Sequence, residues 1–397
     1  MKRWVGNLVA LGVGLVGGLL VLELALRLAG FGPASSTLDP LIGHRYIPHA
    51  RYHWTGEGSS SGRFNAAGWR DVEHAELKPA GTTRILILGD SYVAAFQVPL
   101  DSTFFRRLER ELNARARPGH RFEVIALGQN ATGTTVEYLT YARWGVRYDP
   151  DVVAVLFVPN DPADDWKPVA LNQSRPFYYE DGDSLRLDRS FAPLGGARAW
   201  ESWIWLKSHS AAWTQVRRAL SSLRDRRRPP SRPNGEIELG YYLKWNYDAR
   251  LPADSIPALR LTGRILERFG RHVADDGHRF VLFVAGFPQQ EDRALLAENR
   301  TNPSFDPDKT PRWLLSVGAR TGFDVVSLSP DFRSASERLG RPLWFRNPAG
   351  YGHWNSTGHE VAAGAMLEYF TRTLTGFDAS RGRAGPGAQA APGTAAP

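Results

Sequence analysis

The chain has 397 residues, 42% of them hydrophobic and 23% charged, enough apolar material for one large or two modest globular domains. It contains no cysteine, which excludes disulfides, thiolate metal sites and cysteine nucleophiles. The net charge of +8 comes without any motif that reads bases, so it favours an anionic lipid or glycan nearby over nucleic acid.

Lys2 and Arg3 precede an apolar run from Trp4 to Leu28, longer than the ~20 residues needed to cross a hydrocarbon layer. Glu23 and Arg27 stand four apart and can pair on one helix face near the far interface. A cleaved signal peptide would have a shorter apolar core and a small-x-small site, which this run lacks. Residues 1–31 are therefore expected to form a single-pass signal-anchor, with the basic start cytoplasmic and the rest extracytoplasmic, in a bacterial periplasm or at the cell surface.

Residues 32–80 read as an extracytoplasmic stalk and lead-in, with Arg63 to Asp71 as a strand and turn entering the main domain. Alternation then becomes regular. Short continuous apolar runs at Arg84 to Leu88, Phe122 to Leu127, Asp151 to Val158, Arg279 to Ala285 and Asp324 to Leu328 predict five strands covered on both faces. Between and after them, helical spacing predicts helices over Asp101 to Ala116, Thr134 to Tyr148, Ile256 to Asp275, Arg312 to Arg320 and Ser356 to Thr373. Such alternation implies a three-layer α/β domain with a parallel sheet, over residues 81–375.

The alternation breaks over about residues 162–254, a helical and aromatic insertion. Its basic run Arg224 to Arg228 suits the negative pole of a helix. A sharper reading makes the insertion a lid or membrane-facing element with Trp203, Trp205 and Trp213 at an interface. Residues 376–397, rich in Gly, Ala and Pro, are expected to be disordered.

Polar residues follow each of the first three strands. Ser91 closes Ile87-Leu-Gly-Asp-Ser91 directly after the first, where open parallel sheets bind ligands. A serine hydroxyl needs a base to become a nucleophile. After the second strand comes Leu127-Gly-Gln-Asn-Ala-Thr-Gly133, and after the third Val158-Pro-Asn-Asp161. The Gly128 backbone and the Asn160 amide are suitable donors to an oxyanion. Gly352-His-Trp-Asn-Ser-Thr-Gly-His359 precedes the last helix and supplies a base, His353, while His359 is expected to fix the loop or cap the helix. No carboxylate or third histidine completes a metal-ligand spacing, so neither metal nor cofactor is expected.

These residues resemble the SGNH/GDSL hydrolase superfamily, and more narrowly its bacterial membrane-anchored members with an Asn-x-x-Gly-aromatic-Arg-Asp lead-in, here Asn65 to Asp71. The resemblance covers about residues 63–160 and 279–373 and implies a flavodoxin-like fold with strand order 2-1-3-4-5. It implies Ser91 as nucleophile, Gly128 and Asn160 in the oxyanion hole with the Ser91 N–H, and His353 as base. The implied activity is hydrolysis of an acyl or acetyl ester of a glycan or lipid through an acyl-serine. An O-acyltransferase acting on surface polysaccharide and a catalytically impaired glycan-binding protein are the alternatives.

The chain departs from the family in one important place. An aspartate usually stands two or three residues before the histidine, where this chain has Tyr351 and Gly350. Val158 also replaces a frequent glycine. Loss of the orienting acid can cost ~10⁴ in turnover. A backbone carbonyl could orient His353, or a distant acid could, with Asp331 after the fifth strand as first candidate.

Overall fold

The structure is a computed structural model that describes residues 2–29, 32–170, 172–191, 205, 209–227, 244–250, 255–345 and 352–377. Eleven strands, β1 to β11, are described. The central sheet comprises β5 (Thr82–Gly89), β6 (Arg121–Gly128), β7 (Val152–Phe157), β10 (Arg279–Val284) and β11 (Asp324–Ser327). Its order is β11-β10-β7-β5-β6, all pairs parallel, which is the 2-1-3-4-5 order implied by the family resemblance.

Strand periodicity divides the core into two. Ile85, Ile87, Val124, Ala154, Leu156 and Phe283 face one side, where helices Phe104–Arg115, Ser329–Leu339 and Ser356–Thr373 pack through residues such as Leu108, Phe332 and Met366. Leu86, Leu88, Ile125, Val153, Val155 and Leu282 face the other, covered by helices Thr134–Arg143, Ser255–Asp275 and Lys309–Thr321 through Tyr141, Ile265 and Leu314. Both faces of β5, β6, β7 and β10 are thus largely removed from water, as the continuous apolar runs require, while the edge strand β11 is only partly buried. The expected Thr134 to Tyr148 helix ends at Arg143, and a 3₁₀ turn, Gly145–Tyr148, completes it. Helix Ser329–Leu339 was not anticipated.

Residues 32–80 do not project as a stalk. They form two hairpins, β1 (Ser36–Asp39) with β2 (Gly43–Tyr46) and β3 (Arg51–Trp54) with β4 (Ser60–Arg63), that lie on the domain. Tyr46 and Phe64 are buried against Ala94 and Phe96, with Tyr52 and Trp54 packed alongside. The Asn65 to Asp71 segment secures this docking residue by residue. Asn65 accepts from Trp69 N–H at 2.8 Å and donates to the Val72 carbonyl at 3.0 Å, and Gly68 turns the chain at φ +79°. Asp71 accepts from the Ala126 N–H of β6 at 2.8 Å.

Arg70 makes the tie to the sheet's business end. It is buried and donates to Tyr52 Oη at 2.9 Å, the Ala94 carbonyl at 3.1 Å and the Val98 carbonyl at 2.6 Å. Burial holds its pKa below the usual arginine value.

Within the insertion, β8 (Phe177–Asp181) and β9 (Ser184–Asp188) form a hairpin whose Glu180 pairs with Arg260 and Arg264 of helix Ser255–Asp275. Helix Ala211–Arg227 meets the N-terminal helix Lys2–Leu28. Glu23 receives the N–H groups of Ala211 at 2.9 Å and Ala212 at 3.0 Å, and Arg27 pairs with Glu23 at 2.7 Å. Trp4–Leu28, with mean hydropathy 2.3, is long and apolar enough to cross a membrane. Of the tryptophans expected at an interface, Trp205 is exposed, Trp213 is half-buried, and Trp203 lies outside the described residues, as do Gly350, Tyr351 and the tail beyond Phe377.

Candidate active site

Ser91 begins a four-residue helix, Ser91–Ala94, that turns directly off the end of β5. Asp90 caps it by accepting from Tyr92 N–H at 2.9 Å. This helix crosses the ends of two strands closely, and two glycines make room. Gly89 and Gly128 are register partners at the ends of β5 and β6. A Cβ on Gly128 would lie 2.2 Å from Ala94 N and 2.4 Å from Val93 C, and one on Gly89 would lie 2.3 Å from Val93 Cγ2.

Gly128 is thus required for sterics, which changes its expected role. It does not line the cavity at Ser91. Asn130 and Ala131 of the same loop do. Ala131 adopts φ +55°, and its carbonyl is held by Arg175 at 2.6 Å. Asn130 N–H donates to Tyr46 Oη at 3.1 Å. Ser91 and Asn160 both line the cavity, and the Ser91 N–H, which at a first helical position has no intrahelical acceptor, and the Asn160 amide are donors suited to an oxyanion. Asn160 Nδ2 donates to Asp90 Oδ2 at 3.2 Å and to Asp164 Oδ2 at 2.9 Å, so donation to substrate would release the longer of the two. Asp90 is fully buried, which raises its carboxyl above the usual range against the opposing pull of the Tyr92 N–H and Asn160.

His353 reaches Ser91 from the other end of the chain, with Nε2 2.8 Å from Ser91 Oγ. The Ser91 hydroxyl has a second, weaker acceptor in Asp90 Oδ2 at 3.3 Å. His353 is held by its loop. Its carbonyl accepts from Phe345 N–H at 2.8 Å, and Tyr92 Oη donates to the Gly352 carbonyl at 3.2 Å. Asn355 caps the following helix by accepting from Thr357 and Gly358 N–H groups. His359 is buried against Phe104, accepts the Phe104 N–H at 3.3 Å, and is pushed down to about 3 by burial, so it is neutral and stays out of the cavity.

The acid that orients His353 is Glu57. Its Oε2 accepts from His353 Nδ1 at 2.7 Å and from the His353 backbone N–H at 2.9 Å. A carboxylate only accepts, so Nδ1 carries the proton and Nε2 is left free to take one from Ser91. Glu57 stands at the tip of the β3–β4 hairpin. Trp54 Nε1 donates to the Glu57 carbonyl at 3.0 Å. Gly58, at φ +63°, has room for no side chain, since a Cβ would lie 2.2 Å from the Gln97 carbonyl oxygen.

Asp331 is corrected by this arrangement. It lies on helix Ser329–Leu339 in a separate cleft with Arg107, Arg110 and Glu368, and it does not line the Ser91 cavity. Burial and the Glu368 charge raise its carboxyl above the usual range. The sequence signal for Glu57 was present but local. Alternating aromatics at Tyr52 and Trp54 followed by Gly-Glu-Gly-Ser-Ser-Ser-Gly spell a hairpin with an acid at its turn. Among the described residues, no group of three or more His, Asp or Glu side chains is placed to hold a metal ion.

Fold and site together define a parallel α/β domain carrying a serine–histidine–carboxylate chain at the C-terminal ends of its strands. No protein-family model and no curated protein sequence matches the chain. Solved structures similar to it include LAE5, an alpha/beta hydrolase enzyme from the metagenome of Lake Arreo, at 15% identity and TM-score 0.41, covering 74% of this chain and 97% of that one. Axe2, an acetylxylan esterase from Geobacillus stearothermophilus, is similar at 12% identity and TM-score 0.41, covering 75% and 97%. The lipase/acylhydrolase from Enterococcus faecalis is similar at 12% identity and TM-score 0.40, covering 75% and 100%.

Proposed function

We propose that this chain is a membrane-anchored, extracytoplasmic serine esterase of the SGNH type, acting on an acyl or acetyl ester of a glycan or lipid. The observation that carries the reading is the unbroken hydrogen-bond chain from Glu57 through His353 to Ser91. In the acylation step Ser91 Oγ attacks the ester carbonyl carbon while its proton passes to His353 Nε2. Glu57 stabilises the imidazolium that forms. The negative charge on the carbonyl oxygen is met by the Ser91 N–H and the Asn160 amide. Collapse expels the alcohol, which takes the proton from His353. Water then attacks the acyl-serine with His353 as base again, releasing the carboxylic acid and restoring Ser91.

Glu57, holding His353 where the usual aspartate is missing, supports this reading over a catalytically impaired glycan-binding or assembly protein. The extracytoplasmic orientation rests on Lys2 and Arg3 preceding the apolar Trp4–Leu28 helix. Covalent labelling by a fluorophosphonate probe tests the reading. The full chain labels and its Ser91→Ala variant does not; an unlabelled wild type, under conditions where known esterases react, rejects it.

A further inference from the structure

The hairpin that delivers Glu57 also sets two like charges against each other. In the antiparallel pairing of β3 with β4, Arg51 is directly opposite Arg63, and His53 is opposite Ser61. All four belong to the exposed face of the hairpin, while Tyr52 and Trp54 turn inward onto Phe64 and Phe96. Like charges directly opposite on an antiparallel pair are destabilising. Among the described residues neither arginine has a carboxylate or a hydrogen-bond acceptor to offset this.

Both arginines line a cavity of about 1510 Å³. Among the described residues its basic wall groups are Arg51, Arg63, His44, His53 and Arg27, the last paired with Glu23, and no carboxylate lines it. Trp54, Asn130 and Ala131 line both this cavity and the smaller one, of about 310 Å³, at Ser91. The larger cavity thus shares wall residues with the one at the nucleophile, and Arg27, in the last turn of the apolar N-terminal helix, also lines it. Its volume exceeds the ~300–1,000 Å³ of ordinary small-molecule pockets, which suits an oligomer. The partly buried Tyr52 and Trp54 supply the aromatic part of its wall.

We propose that this groove binds an anionic glycan, with a carboxylate or phosphate of the chain held between Arg51 and Arg63 and its ester group presented to Ser91. The proposal rests on the esterase reading and names its substrate class. Guanidinium groups recognise carboxylate and phosphate through paired N–H donors, and an anion between the two arginines cancels their repulsion.

Full-length protein in detergent, given three acetyl esters, tests this. An acetylated oligogalacturonide supplies carboxylates, an acetylated phosphate-bearing oligosaccharide supplies phosphates, and an acetylated xylo-oligosaccharide is neutral. At least one anionic ester is expected to exceed the neutral one about tenfold in kcat/KM, a difference of ~1.4 kcal/mol, and the double variant R51Q/R63Q should bring the ratio near one, chiefly through KM. Which anionic ester leads identifies the charged group. A ratio near one in the wild type, or a ratio unchanged in R51Q/R63Q, overturns the proposal. Binding of the unacetylated oligosaccharides to the Ser91→Ala protein, followed by tryptophan fluorescence, is an independent measurement. Affinity for an anionic chain that falls with salt and with R51Q/R63Q supports the groove, even if no ester is cleaved and the esterase reading fails. No binding of either anionic chain, or binding only to phosphatidylglycerol vesicles, rejects it even if esters are cleaved.

Discussion

A single carboxylate oxygen of Glu57 receives both the ring Nδ1–H and the backbone N–H of His353, at 2.7 and 2.9 Å. The acid therefore fixes the tautomer of the imidazole and the path of its loop together. Glu57→Gln replaces the anion by an amide that can offer its own N–H to Nδ1 and so favour the wrong tautomer. Turnover of a small acetyl ester should fall by about 10³–10⁴, with Tm little changed. Asp331→Asn, in a different cleft, should leave turnover within about twofold, since surface changes away from a site are near neutral. Equal losses in both variants would remove Glu57 from the relay.

Gly128 and Gly364 provide a matched pair of Gly→Ala changes. At Gly128 the added methyl meets the backbone of the Ser91 helix at 2.2 Å, so that helix or β6 must shift. Gly128→Ala should lower Tm and lose activity beyond what the loss of stability explains. Gly364 lies exposed within helix Ser356–Thr373, with nothing within 4 Å of the new Cβ. Gly364→Ala should stabilise by about 0.5–1 kcal/mol and leave kcat unchanged. Thermal denaturation and steady-state kinetics on the two proteins check this.

Arg70 joins the Glu57 hairpin to the Ser91 helix. Arg70→Met keeps much of the stem packing between Tyr52 and Phe96 but strips the Ala94 and Val98 carbonyls of their buried donor. At about 1–3 kcal/mol for each unsatisfied carbonyl, Tm should drop by several degrees and kcat should drop with it. Arg70→Lys should fail to restore either, because a single ammonium cannot reach acceptors arranged around a planar fork. A lysine variant with wild-type Tm would contradict the clamp.

His74 gives a pH signature. Burial would lower its pKa, but hydrogen bonds to Asp71 and Glu123 prevail and raise it to about 9. Its folded value is above the unfolded one of ~6.5, so the stabilisation is complete below pH ~6.5 and is lost as pH rises toward 9. Tm of the wild type should decline across that window, and His74→Gln should flatten the decline while lowering Tm at pH 6. Parallel Tm curves for the two proteins would show that the imidazolium contributes nothing.

The central sheet was legible because each strand is a short continuous apolar run, largely buried on both faces in the four from Thr82–Gly89 to Arg279–Val284 and partly buried in the edge strand Asp324–Ser327. Ser91 and His353 were legible for a related reason, since each sits at a fixed place beside such an element, after β5 and before the last helix. Glu57 was not. It is 296 positions from His353 in sequence, in the turn of a hairpin that the local pattern does announce, but nothing in that pattern says the hairpin docks beside His353. Asp331 was selected by the same rule of position after a strand, but helix Ser329–Leu339 carries it away from the cavity. Gly128 was selected rightly as a glycine that matters, yet what demands it is the backbone of Val93 and Ala94, which no single-sequence pattern encodes.

Because the acid comes from before the first core strand and the base from just before the last helix, the relay spans nearly the whole fold. During synthesis, Glu57 and Ser91 emerge well before His353. A partly synthesised chain therefore carries Ser91 without the imidazole that faces it, and the hydrogen-bond chain closes only when the helix Ser356–Thr373 docks. Trimming the protein at Thr82 would take Glu57 from His353 and, with Ile42, Trp69, Arg70 and Asp71, part of the core as well. The unit that completes the site begins well before the first strand of the sheet, and an expression boundary drawn at that strand removes the acid and the packing together.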